Sequence, residues 1–252
     1  MTELQWNCVE NFKTDFKSKI ATWNQFKTIL ASLQKQAAQK AKTPEYQIET
    51  PIVYNSAIDE ITPKDEIKLI VIGDNPGKNE QLAKNQKYLV GQAGKIAEGF
   101  FRRNAELEID FRKNVIILNK TPIHSAKTAQ LKTIAKTGTA QIEQLILESQ
   151  LWMAQATANL LKNLNKYGKT QTQLWLVGYS ELKPNGIFGA YKEELKKSCD
   201  KQNWQNVMVF QHFSMNCFTK DLNSFKNANP QKTLKEALFE LGTKHRKEIF
   251  SE

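Results

Sequence analysis

Residues Ile67 to Phe101 read IKLIVIGDNPGKNEQLAKNQKYLVGQAGKIAEGFF, and the fold is decided by how this stretch is read. Ile67, Leu69, Ile70, Val71 and Ile72 form a short apolar run rich in β-branched residues, the pattern of a strand buried on both faces of a parallel sheet. At Gly73 the pattern changes to Gly73-Asp74-Asn75-Pro76-Gly77, two glycines and a proline around two polar side chains. Asn-Pro and Pro-Gly are ordinary turn dipeptides, so these residues also fit a plain turn. At the carboxyl end of a parallel strand, however, a turn lies where open α/β sheets bind ligands, and this one presents Asp74 and Asn75 there. A helical pattern follows from Gly94 to Arg103, with Ile96, Ala97, Phe100 and Phe101 inward and its amino end beside the turn.

Three further apolar runs repeat the signal. Val115 to Leu118 ends in Asn119, Leu174 to Val177 ends in Gly178, and Val207 to Phe210 runs into Gln211-His212-Phe213-Ser214-Met215-Asn216. Helical periodicity covers Thr139 to Tyr167, closing at the C-cap candidate Gly168, then Phe188 to Ser198 and Gln231 to Phe250. Upstream, apolar residues from Leu4 to Leu33 recur at spacings of three and four, which predicts an amphipathic helix broken once near Ala21 to Trp23. Thr43 to Glu66, with Pro44, Pro51 and Pro63, reads as a surface connection with one short strand at Gln47 to Tyr54. Strands separated by helices predict an α/β fold: a three-layer α/β/α sandwich with a central, mostly parallel four-stranded sheet, plus N-terminal and C-terminal helices. Residues 1–45 read as a helical extension packed on the core, and 46–252 as the α/β/α domain.

The chain has 252 residues, enough for a sizeable core, and a net charge of +10 that favours an anionic partner, most commonly nucleic acid. A lysine-rich solvated surface accounts for the same charge. Cys8, Cys199 and Cys217 are odd in number and far apart, which suggests a reducing compartment and no disulfide framework. No apolar run approaches the roughly 20 residues needed to span a bilayer, and the N-terminus lacks a signal-peptide core. A soluble, cytoplasmic monomer with no membrane association is the expectation.

The turn Gly73 to Gly77, followed by Tyr88-Leu89-Val90-Gly91-Gln92-Ala93-Gly94, resembles the uracil-DNA glycosylase superfamily. Its members share a motif Gly-x-(Asp/Asn/Ala)-Pro-(Tyr/Gly), and several follow it with Phe-Val-Gly-x-(Ala/Ser)-Gly. Val115 to Asn119 is similar to that family's Leu-Leu-Leu-Asn, and His212-Phe213-Ser214 to its His-Pro-Ser, with phenylalanine for proline. The resemblance spans roughly Glu66 to Leu222, so the terminal helices lie outside it. It implies the same α/β/α architecture and a DNA repair enzyme that hydrolyses the N-glycosidic bond of a flipped uracil or related deaminated or mispaired base. The implied partner is DNA containing such a base. Asn75, His212 and Asp74 become the catalytic candidates, and Gly73, Pro76, Gly77, Tyr88, Leu89, Asn119 and Ser214 the substrate-binding ones. Phe213 and Met215 are the candidates to fill the vacated stack, and Lys78, Lys84, Lys87, Lys95, Arg102, Arg103, Lys120 and Lys220 those to contact the DNA backbone.

That chemistry suits these residue types. Cleavage sends electrons into the base and leaves a cationic sugar, so both charges need stabilising and a water must be held near the sugar. Asn75 can hold that water through its amide oxygen, and an aspartate there is expected to serve as well or better. Asn119 can accept from uracil N3–H and donate to O4, whereas cytosine presents the opposite pattern. His212 can donate to uracil O2, and Ser214 can contact a phosphate. Relatives stack a phenylalanine on the base where this chain has Leu89, so Tyr88 beside it is a candidate to take over. Gly77 stands where uracil-specific relatives use a tyrosine to exclude the thymine methyl, which opens that wall to other bases. Relatives with an iron-sulfur cluster need four cysteines, so no cluster, other cofactor or catalytic metal is expected. Two rival readings are a catalytically silent DNA-binding protein of the same fold and an unrelated nucleotide-handling α/β enzyme.

Overall fold

The computed structural model describes residues 1–252. Its centre is a four-stranded sheet of β1 (Leu69–Gly73), β2 (Val115–Asn119), β3 (Gln173–Val177) and β4 (Val207–Phe210), in the order β2-β1-β3-β4. Every pairing is parallel, so the sheet is wholly parallel. Around it lie α1 (Glu3–Trp23), α2 (Lys27–Lys40), α3 (Gln92–Arg103), α4 (Ala129–Thr137), α5 (Ala140–Tyr167), α6 (Gly189–Ser198), α7 (Lys201–Trp204), α8 (Cys217–Ala228) and α9 (Leu234–Phe250). No helix is long and apolar enough to cross a membrane.

The strands are apolar throughout because each strand face meets helices. Ile70, Ile72, Ile116, Leu118, Leu174, Leu176, Val207 and Val209 join one apolar cluster with side chains from α1, α2, α4, α5 and α6. The alternate residues, Leu69, Val71, Val115, Ile117, Trp175, Val177, Met208 and Phe210, join a second cluster with α3, α8 and α9. A period of two along each strand thus sorts one sequence run into two cores. From β1 the chain moves one way to β2 through α3, on the second face. It then crosses to β3 on the other side of β1 through α4 and α5, on the first face. Crossovers of constant hand require opposite faces for opposite directions, so the sheet is doubly wound and its order reverses between β1 and β3.

The single break expected in the N-terminal helix is present, and other sequence readings need correction. The N-terminal helix breaks just after Trp23, at a single 3-10 turn of Asn24 to Phe26, and α2 continues to Lys40 with Gln34, Ala37 and Ala38 buried. Val9, Phe12, Phe16 and Leu30 belong to the same apolar cluster as one sheet face. The connection after α2 is not a surface strand. Ile52, Val53, Asn55 and Ile58 are buried, and Ile52 makes only an isolated antiparallel bridge to Ile123. Helices α4 and α8 fall in stretches whose short periodicity the sequence reading missed.

Phe213 is fully buried, not a wedge for DNA. Its ring packs at 4.8 Å on Phe218, which in turn meets Phe210, Phe100 and Trp175. It therefore anchors the loop after β4 to the second core. Phe213→Ala is expected to cost about 3–5 kcal/mol of unfolding free energy, read by urea denaturation. A loss within experimental error of zero would return Phe213 to the surface.

Candidate active site at the strand ends

Reversal of strand order between β1 and β3 leaves a crevice outside their carboxyl ends, the general ligand position of such sheets. A cleft of about 470 Å³ opens there, within the ~300–1,000 Å³ usual for small-ligand pockets. Of the residues singled out from sequence, Gly73, Asp74, Asn75 and Gly77 line it from the β1 turn. Leu89 lines it from the following loop, Asn119 from the end of β2, and His212, Ser214 and Met215 from the loop after β4. Other clefts, between α1 and α5 and at the amino end of the sheet, lie away from the strand carboxyl ends.

Of the catalytic, substrate-binding and stacking candidates, three lie outside the lining. Tyr88 is fully buried and donates its hydroxyl proton to Val53 O at 2.6 Å, so it cannot stack on a base in place of Leu89. Pro76 is buried, and its carbonyl accepts from His124 Nδ1, Ser125 N and Asn75 Nδ2. Phe213 belongs to the core.

Lys120 corrects the sequence reading most. It is not a contact for DNA phosphates but a wholly buried ammonium. Its Nζ donates to Asp74 Oδ1 at 2.6 Å, Val177 O at 2.6 Å and Gly73 O at 3.4 Å. Three donors meet three oxygens, which is the full capacity of a lysine head group. Burial lowers the Lys120 pKa, and Asp74 opposes that shift. Asp74 reaches this position because residue 178 has no side chain. Gly178 has φ +98°, and a Cβ there would lie 2.2 Å from Asp74 Oδ1, so any other residue would be strained and would displace the carboxylate.

Asn75 is oriented by its neighbours. Its Nδ2 donates to Ser125 Oγ at 2.9 Å and to the carbonyls of Ser125 and Pro76 at 3.1 Å. Carbonyl oxygens can only accept, and Ser125 Oγ already donates to Lys127 O, so the amide nitrogen must face them. Oδ1 is left as the acceptor on the other side. An aspartate would set carboxylate oxygen against those carbonyls, which reverses the expectation that Asp serves as well as Asn here.

His212 is fixed in one tautomer. The backbone N–H of Ser214 donates to His212 Nδ1 at 3.1 Å, so Nδ1 carries no proton and Nε2–H is the donor. Burial pushes the imidazole below its ordinary value; Asp74 opposes this and Lys120 adds to it. The ring is a neutral hydrogen-bond donor at the cleft.

Asn119 is 2% exposed, and its Nδ2 has no hydrogen-bond partner. A Cβ at residue 73 would lie 2.4 Å from Asn119 Oδ1, so Gly73 is what admits this side chain to the strand end. A buried donor left unpaired costs about 1–3 kcal/mol, and such a group calls for a functional account.

Two residues that sequence reasoning missed hold the motifs together. Glu80 accepts from Gly77 N at 2.8 Å and Leu89 N at 2.7 Å, joining the turn after β1 to the loop before α3. Burial pushes its carboxyl up to about 7 against the backbone N–H bonds of Gly77, Leu89 and Val90 and the charge of Arg112. His124 donates from Nδ1 to Pro76 O at 2.8 Å, leaving Nε2 to accept from Tyr46 O–H at 3.0 Å. Gln34 of α2 donates to His124 O and Pro51 O, which ties the N-terminal helices to the turn. No group of three or more His, Cys, Asp or Glu side chains is placed to hold a metal ion.

No protein-family model matches this chain, and a search of curated proteins finds no match.

His124 generates a stability prediction. Burial lowers its pKa from 6.5 to about 4, while the Pro76 and Gly77 backbone groups oppose the shift. Its neutral form therefore stabilises the fold fully above pH 6.5. As pH falls toward 4 the unfolded chain takes up a proton that the folded one refuses, and the contribution is lost at about 1.4 kcal/mol per pH unit. His124→Asn keeps a donor for Pro76 O and removes the titration. Urea denaturation across this range is expected to show a shallower acid loss in the variant, and identical slopes would refute the assignment.

Proposed function

We propose that this chain is a DNA glycosylase of the uracil-DNA glycosylase type, which hydrolyses the N-glycosidic bond of uracil or a related deaminated or mispaired base flipped out of DNA. The observation that carries the reading is Asn119, a residue of the cleft lining whose buried carboxamide has an unpaired donor. In the orientation the side chain adopts, with Oδ1 beside Gly73, a base with a carbonyl at position 4 and N3–H satisfies both ends of that amide; cytosine fits only the amide turned by about 180°.

The other groups fit the same reaction. Neutral His212 offers Nε2–H to uracil O2, where negative charge grows as the bond breaks, and a preorganised donor of this kind acts mainly in the transition state. Asn75 Oδ1 accepts from the attacking water. Met215 is 77% exposed, lines the cleft and has φ +53°, which suits an apolar wedge that fills the stack a flipped base leaves. Lys84, Lys95, Arg102, Arg103 and Lys220 are exposed and remain candidates for phosphate contacts. A Cβ at Gly77 would meet nothing within 4 Å, so no neighbouring protein atom closes that wall.

Single-turnover excision from oligonucleotides carrying uracil, hypoxanthine, xanthine or mismatched thymine, read by alkaline cleavage, tests the proposal. His212→Ala is expected to slow the chemical step by about 10²-fold or more. Asn119→Ala is expected to lose excision while keeping duplex affinity, because it reads the base and not the backbone. Asn75→Asp is expected to be slower than wild type. Folded wild-type protein that binds DNA but excises no base would leave a silent binding protein as the function.

A further inference from the structure

Asp74 and Lys120 form an ion pair whose two ends differ in access. The ammonium is fully enclosed, capped by the Phe188 ring at 5.0 Å, and is absent from the cleft lining, whereas Asp74 is part of it. One carboxylate oxygen, Oδ1, is bound to Lys120. The other, Oδ2, has only a long contact of 3.4 Å from Thr128 Oγ1. The pair is thus a fixed dipole with its negative end at the cleft, and Gly178 supplies the space for it.

We propose that Lys120 is a positioning residue that holds the Asp74 carboxylate as the proton acceptor of the hydrolysis. This rests on the glycosylase reading and assigns a division of labour within it. As the C1′–N1 bond breaks, its electron pair passes to the base, where His212 Nε2–H meets the growing charge. The water oxygen held by Asn75 bonds to C1′, and the water proton passes to Asp74. The same carboxylate faces the cationic sugar, so its negative charge is needed before and during bond cleavage. Lys120 takes no direct part, because Nζ is shut off from the cleft and every one of its protons is already donated.

The charged and titratable groups that bear on Asp74 come from each neighbouring element: Lys120 after β2, His212 after β4, and Glu181 after β3, which also acts on Lys120. Removing the ammonium leaves a buried carboxyl with no counter-charge, and burial then favours its neutral form. Lys120 and Asp74 also act on His212, in opposite directions. An upward move of the acidic limb on loss of Lys120 that is as large in the Asp74→Asn background therefore reports His212 and overturns the inference, whereas one that requires Asp74 reports the carboxylate.

Single-turnover excision of uracil from pH 4.5 to 8.5 is measured for wild type, Lys120→Met, Asp74→Asn and the double variant. The acidic limb of Lys120→Met is expected to move up by on the order of one pH unit or more. Asp74→Asn is expected to be slower by about 10²-fold, and the double variant no slower than Asp74→Asn. If either single variant does not fold, the double variant, which strands neither charge, carries the comparison with wild type: it is expected to be slower by about 10²-fold, and a wild-type rate overturns the inference. A Lys120→Met protein with the wild-type limb overturns the inference, as does a double variant in which the two losses multiply; the glycosylase reading survives both. A wild-type protein that excises nothing overturns both.

Discussion

An ammonium with no access to water must be surrounded by oxygens, and the site is built around the place where Lys120 finds them. Its three partners come from the end of β1, the residue after it and the end of β3, the two neighbouring strands between which the sheet reverses its order. Ends of adjacent parallel strands diverge into separate crossovers, so nothing in the ladder itself ties them together there. The lysine ties them, and the carboxylate that neutralises it stands at the floor of the cleft. A buried pair of this kind contributes little net stability, but loss of one partner is costly. Its value here is that it fixes one geometry.

Around that point the polar groups divide into those that are satisfied and those left over. Asn75 spends its amide nitrogen on Ser125 and Pro76, His212 spends Nδ1 on Ser214, and Asp74 spends Oδ1 on Lys120. What remains without a close partner, on residues that line the cleft, is Asn75 Oδ1, His212 Nε2–H, Asp74 Oδ2 and the buried Asn119 Nδ2. In Asn75, His212 and Asp74 the satisfied half orients the free half, so these three are preorganised. Glu80 and His124 extend the same principle outward by holding the backbone of the two loops rather than any ligand.

Much of this was legible in the sequence, for identifiable reasons. Four apolar runs, each followed by polar or glycine residues, gave the strands and put Asp74, Asn75, Asn119 and His212 at their ends. The order of the strands was not legible, because pairing depends on which crossover takes which face. Without that order, the end of β3, with Gly178 and Glu181, had no reason to be placed beside Asp74. Lys120 read as a surface lysine because nearly all lysines are. Only its three oxygen partners, drawn from segments 46 to 57 residues away, make burial tolerable. Tyr88 and Phe213 adjoin site residues in sequence, yet alternate residues of an extended or turning segment face opposite ways, and both side chains face the second core.

The central claim is that Asn119 reads a base through the amide group the protein leaves unpaired. The direct measurement is the 15N–1H resonance of the Asn119 side-chain amide, assigned by its loss in Asn119→Ala, during titration with free uracil and separately with cytosine. The account predicts a saturable downfield shift of an Nδ2 proton with uracil and none with cytosine. No shift with uracil, or equal shifts with the two bases, would contradict it.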